Sequence, residues 1–559
     1  MIRIPAAQDY YNLGQFHRHI TTNNPDAQTW FSRGLVWVYA FNHGEAAYCF
    51  NQAIAHDPSC AMAYWGLAYA VGPNYNKPWE RFDRRDRAES AKQGFEASRT
   101  AAEKAEDGTP CERALIQAMQ HRFSRPPVDP AKLNRNYALA MERVYRAFGS
   151  DVEIAVLYAD ALMNVTPWAL WDLKTGEPAR NAPTLLVKAV LEKALAKEAN
   201  HPGLLHLYIH YIEMSPTPEL GINIADRLRD LVPDAGHIHH MPSHLDIIVG
   251  DWRRSMDANH KATIADEKYL SRAGPYNLYT FYRLHNYHSL IYAAMFAGQS
   301  KTAMDAVTRM ENSVPEGVLH MDSPPMADWL ENFMATRLHI MIRFGMWQDL
   351  IETKLPDDQK LYCVTTAATH YAKGLAYAAT GQIKQARNER TLFQKAKARI
   401  PSSRRAYNTK AIDTLAVAAA MLDGEIAYRE RKFDSAWSYL RRSIQLEDSL
   451  PYSEPWAWMQ PSRHAYAALL LEQGHVHEAA MEYRADLGLD QTLIRPRRHP
   501  KNVWALAGYH ECLRRMGKEA DAKELEPALR LALAVADVPV KSSCFCRGMA
   551  MAGVKESRL

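Results

Sequence analysis

The sequence predicts an all-α protein built as an array of helical hairpins, an α-solenoid with irregular inserts. Three observations carry this. The chain leans on Ala, Leu, Met, Arg and Glu, which favour helix. Val and Ile never gather into alternating runs bounded by Asn-Gly or Gly-Gly turns, so no substantial sheet is expected. Large and small residues return at a fixed spacing, the mark of stacked repeats. Length agrees: 559 residues exceed the ~100–200 of one ordinary domain, whereas a repeat array needs no single core.

Residues 1–26 read as an N-terminal segment, 27–530 as the array and 531–559 as a tail. From Ala27, one stretch carries Trp30, Gly34, Trp37, Ala46, Phe50, Ala53 and Pro58. That is the spacing of a 34-residue tetratricopeptide (TPR) unit. Gly34 and Ala46 let two helices touch, aromatics fill the gap beside them, and Pro58 opens the next helix. Ala61 then begins another first helix. The frame returns around Gly381 and Ala386, around Gly474 and Ala479, and around Trp504, Gly508 and Ala520. Irregular inserts are expected at 103–135, 166–184 and 264–280.

Composition excludes several classes. A formal charge of +4, from 67 basic and 63 acidic residues, is too weak for a dedicated nucleic-acid binder. No apolar run reaches the ~18–20 residues of a membrane helix, and the N-terminus lacks a secretory apolar core. Seven scattered cysteines read as reduced thiols of an intracellular protein. Cys544-Phe545-Cys546 is no paired zinc motif and falls in a tail expected to be free. The final Ser557-Arg558-Leu559 is a close variant of a peroxisomal Ser-Lys-Leu signal. A peroxisomal import receptor is therefore an expected partner, with the cytoplasm as the default address.

Histidine carries the chemistry. With the frame laid over the middle of the chain, repeats begin at Pro202, Gly236, Leu284 and Glu331. The resemblance to TPR repeats implies that the second, fifth, ninth and twelfth places of each first helix line the concave groove, and 3.6-residue periodicity puts those places on one face. Of these sixteen places eight are histidine: His206, His210, His237, His240, His244, His285, His288 and His339. An even spread of 23 histidines over 559 residues would give about 0.7. The groove, about 201–345, is thus predicted to be histidine-lined.

His206 and His210 stand at i and i+4 with Glu213 beyond them; His240 and His244 repeat the spacing, with His237 before them; His285 and His288 form an i, i+3 pair. Two imidazoles on one helix can reach a single ion, and facing helices supply the rest. Neutral imidazole suits Zn, Cu, Fe and Ni rather than Mg or Ca. The expected metal ligands are His206, His210, His237, His240, His244, His285 and His288, holding one or two ions, copper or iron favoured and zinc admitted. Two blander readings stand beside this, a metal-free acid/base pocket and a set of satisfied core histidines. His121, His370, His464, His475 and His477 read as surface or hydrogen-bonded core residues, and His239 is expected to pack or cap. Pro242 breaks the helix pattern between His240 and His244: the helix either starts there or kinks.

Around this cluster, Glu213, His43 and Tyr282 are expected as proton-handling catalytic residues. Asn74, Asn76, Trp168, Trp171, Asp172, Tyr208 and His339 are expected to shape a substrate pocket. For Asn74 and Asn76 a helix stop and turn explains the residues equally well. No P-loop, GxGxxG, HExxH or GxSxG competes.

The strings FNHGEAAYCF, CAMAYWGLAYAVGPNYN, HPGLLHLYIHYIEMSPTPE, AGHIHHMPSH and YRLHNYHSLIYAAMFAGQ together resemble a group of TPR-containing proteins from bacteria and fungi. The resemblance runs from about Trp30 to Gly381 and implies the fold, with no activity attached. Gly44 stands where that group has an acidic residue, leaving His43 and Glu45 in place. The function expected is a metal-dependent enzyme, foremost an O2-handling oxidoreductase on a small, aromatic-sized molecule. The alternatives are a non-catalytic peptide-binding TPR adaptor and a metal-assisted hydrolase or lyase.

Overall fold

In the computed structural model, residues 2–125 and 129–547 are described; their regular structure is helix, apart from one hairpin pairing Arg405–Ala406 with Thr409–Lys410. The fold is all-α and TPR-like: consecutive helices joined by tight turns and packed side by side. No described helix is long and apolar enough to cross a membrane. Two compact units emerge, one of residues up to Leu245 plus Lys261–Arg283, the other of Asp246–His260 and Leu284 onward.

The first unit opens with α1 (Pro25–Tyr39), α2 (His43–His56) and α3 (Ala61–Val71). Asn24 starts α1 by accepting from the amides of Asp26 and Ala27, with Pro25 at the first helical place, the favoured N-terminal chemistry. The close approach read from Gly34 is real. A Cβ there would sit 2.6 Å from the Phe50 ring, and one on Gly66 only 2.3 Å from it. Phe50 of α2 is thus wedged between two glycine faces, and any larger residue would push the hairpins apart. Pro58 lies in the turn before α3 rather than opening that helix. Residues before Pro25 are pinned down: Trp30 Nε1 donates to Ile4 O, and Gln52 bonds both Ile2 and Ile4.

After α4 (Arg84–Glu103) come α5 (Pro110–Met119), α6 (Pro130–Phe148), α7 (Val152–Met163), α8 (Thr184–Leu195), α9 (Pro202–Ile212) and α10 (Ile222–Leu228). The stretch expected to be an irregular insert at 103–135 contains all of α5 and the start of α6, with irregular connections around them. Thr109 and Glu112 form a reciprocal capping box that starts α5. The insert at 166–184 is irregular, tied by a Trp171–Pro178 bridge. That at 264–280 shrinks to a short connection, because the helix Trp252–Ala273 runs through most of it. Pro242 does break the chain, into α11 (Gly236–His240) and α12 (Pro242–Val249).

The second unit stacks hairpins of the same kind: Cys363–Ala379 with Ile383–Lys397, Ala411–Arg429 with Phe433–Asp448, Ser462–Glu472 with Val476–Leu487, and Val503–Arg515 with Glu519–Val535. Glycines in the left-handed region turn most of them, Gly381 (φ +79°), Gly474 (φ +87°) and Gly517 (φ +72°), since no side chain opposes that conformation. The tail differs from expectation. Helix persists to Val535, and Ser543 to Arg547 are fastened by Arg343 to Ser543 O, Tyr483 to Ser543 Oγ, and Arg547 on Glu511. Cys544 and Cys546 are disulfide-bonded, leaving five free thiols rather than seven. The terminal tripeptide lies outside the described residues.

Candidate metal centre

The first unit gathers the central histidines at the end of α9. His201 caps α9 by accepting from the Gly203 and Leu204 amides, with Pro202 at the first helical place. Gly203 then allows close packing on α1 and α7: a Cβ there would meet the Tyr39 ring at 2.8 Å and Val156 at 2.9 Å. This approach carries His206 to the last turn of α1, where its Nδ1 lies 2.5 Å from the Tyr39 carbonyl oxygen. A carbonyl only accepts, so His206 donates from Nδ1 and turns the lone pair of Nε2 inward.

Glu213, next after α9, makes the second anchor. Its Oε1 is 2.7 Å from His210 Nδ1 and its Oε2 is 2.7 Å from His244 Nδ1. All three side chains are buried. Burial alone would raise the Glu213 carboxyl; the His244 and His210 rings outweigh it and hold it at about 2. An ionised carboxylate accepting from two Nδ1–H groups fixes both tautomers, so each Nε2 is an acceptor. His240 Nε2, 2.7 Å from His244 Nε2, is then the donor of that pair.

The result is a set of buried, oriented lone pairs. His206 Nε2 and His210 Nε2 have no hydrogen-bond partner. Ligand atoms of His206, His210 and His237 lie within 4.8 Å of one another, as do those of His210, Glu213 and His244. Burial, then the neighbouring His210 and His244 rings, hold His206 well below the usual imidazole value; burial lowers His210 despite Glu213. Neutral imidazole is the ligating form. An Nδ1–H held by a carbonyl or carboxylate behind an inward Nε2 is the usual support of a metal-bound histidine. These buried groups can hold a metal ion.

Aromatic rings wall the cluster. Phe41 lies 4.3 Å from the His206 ring and stacks on His210 and His237 at 5.8 and 5.6 Å. Tyr75 is 5.0 Å from His210, Trp168 is 5.8 Å from it, and Tyr282 meets His237 edge-on at 5.0 Å. Phe41 and Tyr75 were not singled out from sequence. Phe41 takes the turn between α1 and α2 at φ +54°, a place that glycine fills in three hairpins of the second unit and Arg431 in the fourth. Backbone strain of this kind costs about 1–3 kcal/mol and concentrates at functional sites.

Beside His206 lies a small cavity lined by Tyr39, His43, Asn74 and Asp160 among others. His43 Nε2 is buried without a partner, and burial, then Arg122, push the ring down to about 3. Tyr282 bonds Asn74, and burial raises its phenol. Asn74 Oδ1 accepts from the Asn76 and Lys77 amides at 3.0 and 2.7 Å, so it shapes the turn while bordering the cavity. Asn76 has its Oδ1 buried and unpartnered.

The other expected site residues make contacts of their own. Trp171 donates to Tyr211 O at 2.7 Å, exposed Asp172 caps the turn at Lys174 and Thr175, and Tyr208 reaches Glu192 at 3.3 Å. His285, His288 and His339 belong to the second unit. There Tyr407, at φ +55°, offers its hydroxyl to His288 Nδ1 at 2.8 Å and His285 Nδ1 at 3.3 Å. His288 Nε2 faces Met459 Sδ at 3.0 Å, and His339 meets Trp458 edge-on at 5.2 Å. His239, expected to pack or cap, bonds Pro233 O at 2.9 Å.

No protein-family model matches the sequence, and no curated protein matches it. Solved structures similar in fold include the APC/C hetero-tetramer Cut9–Hcn1, at 11% identity over 87% of this chain and 76% of that one, TM-score 0.31. A human IFIT1 dimer with PPP-AAAA is similar at 11% identity, 91% of each chain and TM-score 0.32. Superpositions this loose carry no statement about ligands or activity. Fold and site together define an all-α, TPR-like repeat protein with buried histidine groups able to hold a metal ion.

Proposed function

We propose that this chain is a metal-dependent enzyme, an O2-handling oxidoreductase acting on a small molecule, with copper or iron at the centre in the first unit. The observation that carries the reading is the pair of buried, unpartnered Nε2 atoms on His206 and His210, each on a ring anchored through Nδ1. A buried acceptor without a donor costs roughly 1–3 kcal/mol, and a metal ion is the partner such a lone pair fits. The donor set is imidazole, with Glu213 occupied behind the rings, which disfavours Mg and Ca and favours Cu, Fe or Zn. A redox-active ion there would supply oxygen chemistry.

The chain's own residues do the rest. Phe41, Tyr75 and Trp168 exclude water, while His43 and Tyr282 border the space beside His206 as proton-handling groups. A peptide adaptor would need these places open, whereas His206, His210, His237, His240 and His244 are at most 2% exposed.

The test is metal content and turnover. Protein made without a histidine tag should carry one or two Cu, Fe or Zn ions per chain, and O2 uptake with small phenols should depend on Cu or Fe. Protein that neither carries nor takes up these metals ends the metal reading. Zinc loading without O2 uptake moves the function to hydrolysis or lyase chemistry.

A further inference from the structure

The second unit contains a cavity lined by both aromatic and charged side chains. Its walls are largely apolar, with Trp347, Tyr371 and Trp458 among them, and two charged residues, Arg343 and Glu425, reach it. Small-molecule sites have this make-up: apolar and aromatic walls with a few placed polar groups.

Arg343 is the unusual member. It is 5% exposed, and its guanidinium lies over the Trp504 ring at 4.6 Å. Nη1 faces His464 Nδ1 at 3.0 Å and Nη2 donates to Ser543 O at 2.7 Å, while Nε has no partner. Among the described residues no carboxylate touches it. The nearest on this network, Asp486, is one imidazole away, 2.7 Å from His464 Nε2. Glu425 does not serve either, because its Oε1 takes Arg429 Nε at 2.8 Å. A buried cation without a direct counter-ion is costly, and a guanidinium is suited to carboxylate. A second donor waits nearby: Trp458 Nε1 is buried and unpartnered.

The cavity's floor is not a free end. Cys544 and Cys546 line it, and the segment carrying them is held by Arg343, Tyr483 and Arg429 on its backbone and side chains. Arg343 therefore does two things, fixing this wall with Nη2 and leaving Nε for something else.

We propose that this cavity binds a small aromatic monocarboxylate, its carboxylate on Arg343 Nε and the Trp458 indole N–H, and its ring among Trp347, Tyr371 and Trp458. The inference is independent of the metal centre. Full-length protein carrying His210→Ala, which removes the metal contribution, is titrated with phenylacetate and with uncharged benzyl alcohol, read by calorimetry and tryptophan fluorescence. Phenylacetate should saturate at one site and bind at least tenfold more tightly than benzyl alcohol. Arg343→Gln should erase that preference. Should Arg343→Gln fail to fold, Trp347→Ala, at a half-buried wall position, should weaken phenylacetate about tenfold with thermal stability retained. Absence of saturable phenylacetate binding, equal binding of the two probes, or full binding by folded Arg343→Gln or Trp347→Ala overturns the proposal.

Discussion

Two carboxylates in this molecule each bridge a pair of histidines, and the two pairs end differently. In the first unit Glu213 accepts from His210 and His244. In the second, Asp486 takes His464 Nε2 and His499 Nδ1, both at 2.7 Å, and also Asn502 Nδ2 at 2.9 Å. The far nitrogens separate the cases. His464 Nδ1 meets Arg343 Nη1 at 3.0 Å, and His499 Nε2 meets the Tyr292 hydroxyl at 2.9 Å. The Asp486 pair is closed, whereas His210 ends in an empty lone pair beside that of His206. The same bridge is closed when both outer ends are occupied, and it leaves a lone pair able to meet a metal ion when one end, that of His210, is not.

Mutations should break the comparison along that line. The largest effects are a matched pair. His210→Ala should abolish metal uptake while leaving helical content near normal, because repeat stability is spread over neighbours. His464→Ala should leave metal uptake unchanged and destabilise the protein by about 3–5 kcal/mol, since it strips a partner from buried Asp486 and Arg343. Metal analysis and urea unfolding of both variants read the difference. Next comes Glu213→Gln, which loses the fixed tautomers; metal affinity should fall about 10–100-fold, measured by competition with a chelator.

Acid sharpens the comparison further. Burial pushes His43 and His288 down to about 3 and His339 to about 4, from an ordinary 6.5. Above pH 6.5 folded and unfolded rings are both neutral and contribute nothing. Below it the unfolded chain takes protons the folded chain refuses, so stability falls steadily toward pH 4. Glu213, held at about 2 against 4.5, adds stability above pH 4.5 that is lost only as pH falls toward 2. Bound metal should shift acid unfolding to lower pH, visible by circular dichroism. The smallest effect belongs to His370→Ala. His370 Nδ1 only meets Glu389 at 2.7 Å, so about 1–2 kcal/mol of stability and no metal should be lost.

How much of this was legible differs between fold and site for physical reasons. Repeat spacing shows in sequence because Gly34, Phe50 and Gly66 must meet, and because most of the hairpin turns carry glycine. The i, i+4 histidines show because helix geometry places them together. Phe41 was hidden since a strained aromatic replaces the expected turn glycine. Glu213 was read as a proton acceptor, and the structure shows both its oxygens engaged with imidazoles from α9 and α12. The closed hub was illegible because its members, Tyr292, Arg343, His464, Asp486 and His499, are brought together only by tertiary packing. The tail was misread because Ser543 and the following cysteines carry no helical pattern, yet three arginines hold them.

The central claim is that His206, His210 and their neighbours ligate a metal through Nε2. The most direct measurement is X-ray absorption at the metal edge on copper- or iron-loaded protein, with His206→Ala and His210→Ala alongside. The account predicts a shell of imidazole nitrogens at ~2.0–2.1 Å that loses one nitrogen in each variant, or the metal altogether. A shell dominated by oxygen or sulfur, or one unchanged in both variants, contradicts it.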